Sequence, residues 1–297
     1  MYRGIGGNPK SPGASAPGLF CRQRAVMTTE FQKKYGPYAL VSGASAGIGQ
    51  EFARQLAGRG LNLILVSRRQ AMLDAFAAEL QAVYNVRARS IALDLTADGA
   101  PARLAESTSD IDLGLVVLNA GSLTAGPFLA GDLAQELKLI QLNVTSTVEM
   151  AHRFGNRLRE RSRGGLILLS SVAGYGAFPY QANYAASKAY VASFGLALHE
   201  ELASSGIDVL VLAPGPTKTE GFVGAEGIDF SKLPLPAMTP TSVVRAALNG
   251  LGRKAIVIPG VMNRISDALG KYVLPRTTSA WVFGKLLAKA LKAPPSP

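Results

Sequence analysis

Tyr184 and Lys188 are the residues of this 297-residue sequence whose types and spacing point most directly to chemistry. Four positions apart, they share one face of any helix that holds both. An ammonium beside a phenol stabilises the phenolate and is expected to lower a pKa that otherwise sits near ~10. Tyr184 would then exchange a proton near neutral pH. Such a pair alone is commonly a solvated helix face, and its meaning comes from its company. Upstream, Ser170-Ser171 closes a short apolar run, Leu166–Leu169. A hydroxyl at the carboxyl end of a strand stands where open α/β sheets bind ligands. Ser171 could hold a carbonyl oxygen there while Tyr184 protonates it. Tyr175 and Tyr180 are rivals to Tyr184, but neither has a lysine four residues on.

A second constellation is Ser42-Gly43-Ala44-Ser45-Ala46-Gly47-Ile48-Gly49, between an apolar run and a helical stretch. Glycines at such a turn let backbone approach a pyrophosphate, and the helix start supplies free N–H groups and positive dipole. Gly43, Ser45, Ala46, Gly47, Ile48 and Gly49 are therefore candidate dinucleotide contacts. About twenty residues on, an acid would accept the adenosine ribose hydroxyls and favour NAD. The sequence there reads Ser67-Arg68-Arg69. Arg68 is placed to grip a 2′-phosphate by a charge-assisted bond, so NADP(H) is the expected cofactor. Arg69 is either a second phosphate contact or a plain surface charge.

The elements that must position these residues are legible as apolar runs alternating with amphipathic stretches. The runs are Tyr38–Val41, Leu61–Val66, Ala88–Leu93, Leu113–Leu118, Leu166–Leu169, Val209–Leu212 and Ala255–Ile258. Each lacks clean polar alternation, as strands covered on both faces do. Helical stretches fall near 48–58, 70–84, 132–162 and 184–205. The alternation predicts an α/β fold: a single doubly wound Rossmann-type domain over 35–260 with a parallel sheet of about seven strands. It is preceded by a basic extension, 1–34, read as disordered, and followed by a basic helical extension, 261–297.

Composition narrows the function classes. One cysteine excludes an intramolecular disulfide, and two histidines, His152 and His199, leave no cluster for a structural metal. The net charge of +11 resides in the ends: residues 1–34 carry six basic residues against one acid, and 253–297 carry eight against one. A nucleic-acid enzyme would more often carry basic surface on its fold, so no nucleic-acid partner is expected. Residues 1–26 are rich in Gly, Pro and Ser without a secretory apolar core. They read as an organelle transit peptide or as an upstream extension ahead of Met27, with a cytoplasmic location the default. No stretch approaches the ~18 apolar residues of a spanning helix.

Taken in order, these motifs resemble the short-chain dehydrogenase/reductase family. The glycine spacing is Gly-x-x-x-Gly-x-Gly. Asn119-Ala120-Gly121 ends the fourth run, Asn143 sits within the next helical stretch, and Tyr184-Ala185-Ala186-Ser187-Lys188 and Pro214-Gly215 follow. The resemblance spans about 43–215. It implies that Asn119, Ala120 and Gly121 support the sheet and the cofactor side, that Asn143 positions a water in a proton relay, and that Lys188 also holds the nicotinamide ribose. It selects Ser171 over Ser170, gives Asp94-Leu95 an adenine-contacting role, and makes the segment after Pro214-Gly215 a lid. In that lid Thr217 or Thr219 would bond the carboxamide, and Phe222, Phe230, Leu233, Leu235 and Met238 suggest a hydrophobic substrate. Phe178 and Tyr180 could line the same pocket. Lys34-Tyr35-Gly36-Pro37-Tyr38, Gly60-Leu61-Asn62 and Arg68-Arg69 look similar to the branch acting on hydroxysteroids and long-chain 3-oxoacyl groups. Members commonly pair through two long helices, here 132–162 and 184–205, as homodimers or homotetramers.

The expected activity is interconversion of a hydrophobic ketone and a secondary alcohol. The alternative is a cofactor-binding sensor or scaffold, which usually loses the Tyr or the Lys that this chain keeps. The tail leaves a further choice open. Lys285, Lys289 and Lys292 form one helical stripe with Trp281 beside it, opposite Phe283, Leu286, Leu287, Ala290 and Leu291. That pattern suits peripheral membrane contact through 277–297, or packing on the chain's own domain or a partner subunit.

Overall fold

The computed structural model describes Met1 and residues 29–219, 228–229, 232, 237–268 and 275–291. Among the sequence-derived assignments, the 1–26 extension, Phe222, Phe230, Leu233, Leu235 and Lys292 lie outside the described residues.

Seven strands form one parallel sheet in the order β3-β2-β1-β4-β5-β6-β7. They are β1 Tyr38–Ser42, β2 Asn62–Ser67, β3 Ala88–Ala92, β4 Leu113–Leu118, β5 Gly164–Leu169, β6 Ile207–Leu212 and β7 Ile256–Val257. The unbroken apolar character of the central strands has a direct cause. Alternate residues feed two different cores. Ala39 and Val41, Leu63 and Leu65, Leu115 and Val117, and Leu210 and Leu212 enter one. Leu40, Ile64 and Val66, Val116 and Leu118, and Leu166 and Leu168 enter the other. Helices α2 (Gly47–Ala57), α3 (Gln70–Tyr84) and α8 (Pro240–Gly250) cover the first through Phe52, Leu56, Leu73, Leu80 and Val243. Helices α4 (Ala100–Ser107), α6 (Ser146–Arg161) and α7 (Ala182–Ala203) cover the second through Leu104, Phe154, Leu158 and Val191.

The stretch 132–162 is not one regular helix. Asp132 caps α5 (Leu133–Ile140) by accepting from the Ala134 N–H. A five-residue π-turn, Gln141–Thr145, then precedes α6. Such turns insert an extra residue into a helix and favour functional sites. Here the turn carries Asn143.

The N-terminal extension differs from its expected boundary, and the C-terminal one begins where expected. Residues 30–34 are not part of a disordered arm. They belong to α1 (Glu30–Tyr35), closed by a Thr29–Gln32 capping box, and Tyr35 is buried in the first core. The six-residue helix is too short to show periodicity, but the reciprocal cap and the Phe31–Tyr35 ring contact at 4.8 Å hold it. At the other end, α9 (Val261–Ala268) and α10 (Arg276–Ala290) pack back on the domain. Leu287, Ala290 and Leu291, placed on the tail's apolar face, are buried in a third cluster with Ile228. Own-domain packing therefore takes most of that face. Leu286 and Trp281 remain exposed, with Lys285 Nζ 4.0 Å above the Trp281 ring. Among the described residues, no helix is long and apolar enough to cross a membrane.

Candidate active site

The strand order reverses between β1 and β4, and the carboxyl ends of these neighbours open the crevice where such sheets take ligands. Ser42, the last residue of β1, organises it. Its hydroxyl donates to the Val117 carbonyl at 3.2 Å and accepts from the N–H groups of Asn119 (2.9 Å) and Ala120 (3.0 Å). Asn119 answers with its Nδ2, donating to the carbonyls of Ser42 (2.9 Å) and Gly43 (3.3 Å). The glycine turn is packed onto this knot. Gly43 has φ 68°, and a Cβ there would lie 2.7 Å from Asn119 Nδ2. A Cβ on Gly49 would run into the Gly43 carbonyl oxygen. The N-cap of α2, Ala46, has no side-chain hydrogen bond, so the first N–H groups of the helix are left to the crevice. Gly43, Ser45, Ala46, Gly47, Ile48 and Gly49 form one bare backbone cradle, which fits a pyrophosphate.

At the end of β2, Arg68 and Arg69 are both exposed. Arg69 Nη2 reaches back to Ser45 Oγ at 3.1 Å, joining the second arginine to the glycine turn. Arg68 lies close enough to Asp94 to help ionise it. Partial burial works against that carboxylate, yet bonds from the Thr96 N–H and hydroxyl, with the Lys138 and Arg68 charges, hold its pKa below the ordinary value. Leu95 beside it is buried.

Asn143 is buried, and its side chain spans two neighbours. Its Oδ1 accepts from the Ser122 N–H at 2.9 Å, while Nδ2 donates to the Ser122 carbonyl and to Ser187 Oγ, each at 3.0 Å. Gly121 lies against both Asn143 Oδ1 and Lys188 Nζ, so the ends of β4, the π-turn and α7 meet at one point. Ser187 sits one residue before Lys188 and ties the π-turn to α7.

The two serines at the end of β5 have separate partners. Ser170 Oγ donates to the Lys188 carbonyl at 2.7 Å and is buried. Ser171 accepts from the Ala173 N–H at 3.2 Å and donates to the Pro214 carbonyl at 3.5 Å, and its side chain is near enough to the Tyr184 phenol to draw that group's pKa down. Ser171 and Tyr184 are thus brought together, and Ser170 is spent on holding α7.

One electrostatic expectation is overturned. Lys188 does not lower the Tyr184 pKa. Burial pushes the phenol above its ordinary value, with Ser171 pulling it back. Burial also lowers Lys188 from the usual 10.5 to about 8. Desolvation disfavours the charged form of each group, so the two shifts run in opposite directions. Lys188 Nζ donates to the Leu169 carbonyl at 2.8 Å and lies 5.9 Å from the Tyr184 ring centre. Helical spacing puts two residues on one face; it does not say which partner a lysine will choose.

Pro214, Gly215 and Thr217 follow β6. Thr217 is buried, donates to the Gly215 carbonyl at 2.9 Å, and pairs in a short bridge with Met238. Gly215 lies directly against Asn263 of α9. His199 bonds the Val209 carbonyl at 2.7 Å, a packing role. Sequence reasoning passed over Ser42, Ser122, Ser187 and Asn263. Ser42 carried a signal, since a polar residue closing an apolar strand ahead of a glycine turn has to find buried partners. The other three had none.

The family model described as short chain dehydrogenase matches residues 37–225. The 7beta-hydroxysteroid dehydrogenase of Clostridium sardiniense is 32% identical over 234 residues, covering 79% of this chain and 89% of that protein. The very-long-chain 3-oxoacyl-CoA reductase of Neurospora crassa is 32% identical over 257 residues, covering 84% and 76%. Among solved structures, a short-chain dehydrogenase from Sphingobium yanoikuyae in complex with NADPH superimposes with a TM-score of 0.71 at 30% identity, over 81% of this chain and 97% of that one.

Proposed function

The chain belongs to the short-chain dehydrogenase/reductase family, and from that premise we propose that it reduces a hydrophobic ketone to a secondary alcohol using NADPH. The observation that carries the proposal is at Gly121, which lies against Lys188 Nζ and follows directly on the Asn119-Ala120 backbone where the glycine turn packs, so that the cradle and the helix of Tyr184 and Lys188 share one crevice. A phenol whose pKa is raised by burial keeps its proton at neutral pH, which a general acid for ketone reduction requires. Ser171 would donate to the carbonyl oxygen and fix its distance from Tyr184. As the carbonyl carbon accepts hydride, Tyr184 would pass its proton to that oxygen. Lys188, still mostly charged at neutral pH with its pKa at about 8, would turn from the Leu169 carbonyl toward a ribose hydroxyl and offset the phenolate left behind. Asn143 would hold Ser122 and Ser187 in register and keep the relay side of the pocket closed.

NADP(H) would lie across the carboxyl ends of β1 and β4, its pyrophosphate on Gly43–Gly49, its 2′-phosphate at Arg68 and Arg69, and its adenine near Asp94 and Leu95. Asn119, Ala120 and Gly121, with Pro214, Gly215 and Thr217, would flank the nicotinamide half. When bound, the cofactor supplies the hydride. Support for a bulky apolar substrate comes from the relatives, whose names specify hydroxysteroid and very-long-chain 3-oxoacyl-CoA chemistry. Pairing into dimers is proposed through α6 and α7, where Val144, Val148, His152 and a 47% exposed Tyr190 line a groove of ≈ 580 Å³. Membrane contact through 277–297 is not part of the proposal, because Leu287, Ala290 and Leu291 are buried against the chain itself.

The test is a titration with NADPH and NADH followed by nicotinamide fluorescence, then a screen of ketones under NADPH. Tighter NADPH binding with turnover of a bulky ketone is the expected result. Binding without turnover of any carbonyl compound would favour a sensor or scaffold.

A further inference from the structure

Between Ser171 and Tyr184 the chain passes through Val172–Tyr175 and then Phe178–Gln181. The two C-terminal helices cover both parts. α9 packs against Val172–Tyr175. α10 takes the second part: Phe283 stacks on Phe178 with ring centres 4.4 Å apart, and Gly284 passes against Pro179. Leu287, Ala290 and Leu291 form with Ile228 the cluster on which Ala125, Phe178 and Tyr180 rest.

Ala125 belongs to the segment leaving β4, and that segment is tied to the one entering α7. The Gly126 N–H donates to the Tyr180 carbonyl at 2.8 Å. Glu136 Oε2 accepts from both Thr124 Oγ1 at 3.1 Å and Asn183 Nδ2 at 2.6 Å. Tyr180 sits at φ 65°, a conformation an aromatic residue adopts only when its surroundings impose it. One helix therefore roofs the two segments that flank Gly121 and Tyr184. A helix recruited only to complete a core would bury its contacts. Phe178 and Phe283 are instead half-buried, leaving aromatic surface beside the segments that carry the site.

We propose that α10 is the outer wall of the substrate site and that the Phe178–Phe283 stack is its specificity-determining surface, favouring ketones with a large rigid apolar body. This rests on the ketone-reductase proposal. A flat polycyclic substrate covers the exposed ring surface, whereas a small ketone reaches Ser171 and Tyr184 without touching it.

With the full chain, NADPH oxidation would be measured with androstenedione and with cyclohexanone. Binding of androstenedione to the protein in the presence of NADP+ would be measured by calorimetry. Phe283→Ala and Phe178→Ala should each lower kcat/KM for androstenedione about tenfold, mostly through KM, with cyclohexanone and NADPH affinity within about twofold. Two variants from opposite sides of the stack guard against a folding defect in either. Equal losses on both ketones, or no loss on androstenedione, would overturn the wall. Turnover of neither ketone by the unsubstituted protein sinks the ketone-reductase proposal instead. Binding then decides: androstenedione binding that Phe283→Ala weakens about tenfold supports the wall, and no binding, or binding that Phe283→Ala leaves unchanged, refutes it.

Discussion

Around the carboxyl ends of β1 and β4, positions are held by short buried hydrogen bonds, with Ser42 and Asn119 exchanging bonds across neighbouring strands. Around Phe178–Tyr180 they are held by ring stacking and aliphatic burial from a helix about a hundred residues further along the chain. The contrast follows from what each side must do. A pyrophosphate is the same in every dinucleotide, and directional bonds hold a bare backbone in one geometry. An apolar substrate offers few directional handles, and its recognition is a matter of shape. The polar side is therefore brittle and the apolar side adjustable, and four measurements would break or sharpen that difference.

The largest effect is expected where the two sides meet. Tyr184→Phe should lower kcat for ketone reduction by roughly 10²–10⁴-fold, with NADPH affinity within about twofold. A variant that kept most of its rate would show that the proton comes from elsewhere. Next, Gly49→Ala should strain the cradle by ~1–3 kcal/mol, because its Cβ meets backbone that cannot yield. Denaturant melts and NADPH titration should both register it, unlike Phe283→Ala, which should leave NADPH binding alone. Equal effects of the two on NADPH would dissolve the distinction between the sides.

A smaller effect is expected at the arginines. Removing the charge-assisted grip on the 2′-phosphate, by Arg68→Ala, should weaken NADPH about tenfold and leave NADH unchanged. Arg69→Ala should do the same to a lesser degree, since Arg69 already has a partner in Ser45. Preference for NADH in the unsubstituted protein would reverse the assignment of both. The last is a pH effect on the fold itself. Lys188 titrates at about 8 in the fold against 10.5 when exposed. Between those values the unfolded chain binds more protons, so stability should rise with pH across that window. Urea midpoints should show the rise, and Lys188→Met should flatten it.

The same contrast explains what was legible in the sequence. Continuous apolar runs revealed the strands because alternate residues serve two cores. The spacing of glycines and of Tyr184 and Lys188 located the polar side, where chemistry restricts residue types. The π-turn at Gln141–Thr145 left no mark in the periodicity, since one extra residue in a long amphipathic stretch is within its noise. The raised pKa of Tyr184 left no trace in the sequence, because spacing reports neighbours on a helix and says nothing of desolvation. Phe283 and Phe178 became partners only through the path of the chain.

The π-turn also makes the helix between Leu133 and Arg161 a joint between two phases. Upstream, α5 points Glu136 at Asn183; downstream, α6 points Met150, Phe154 and Leu158 into the core. One residue of an α-helix corresponds to about 100° of rotation. Deleting a single residue there would heal the helix into a regular one and leave the core in phase. It would also swing Glu136 away from Asn183 and withdraw Asn143 from Ser122. At this joint an indel of one residue separates the persistence of the fold from the persistence of its activity, giving a lineage a short route from enzyme to inert binder.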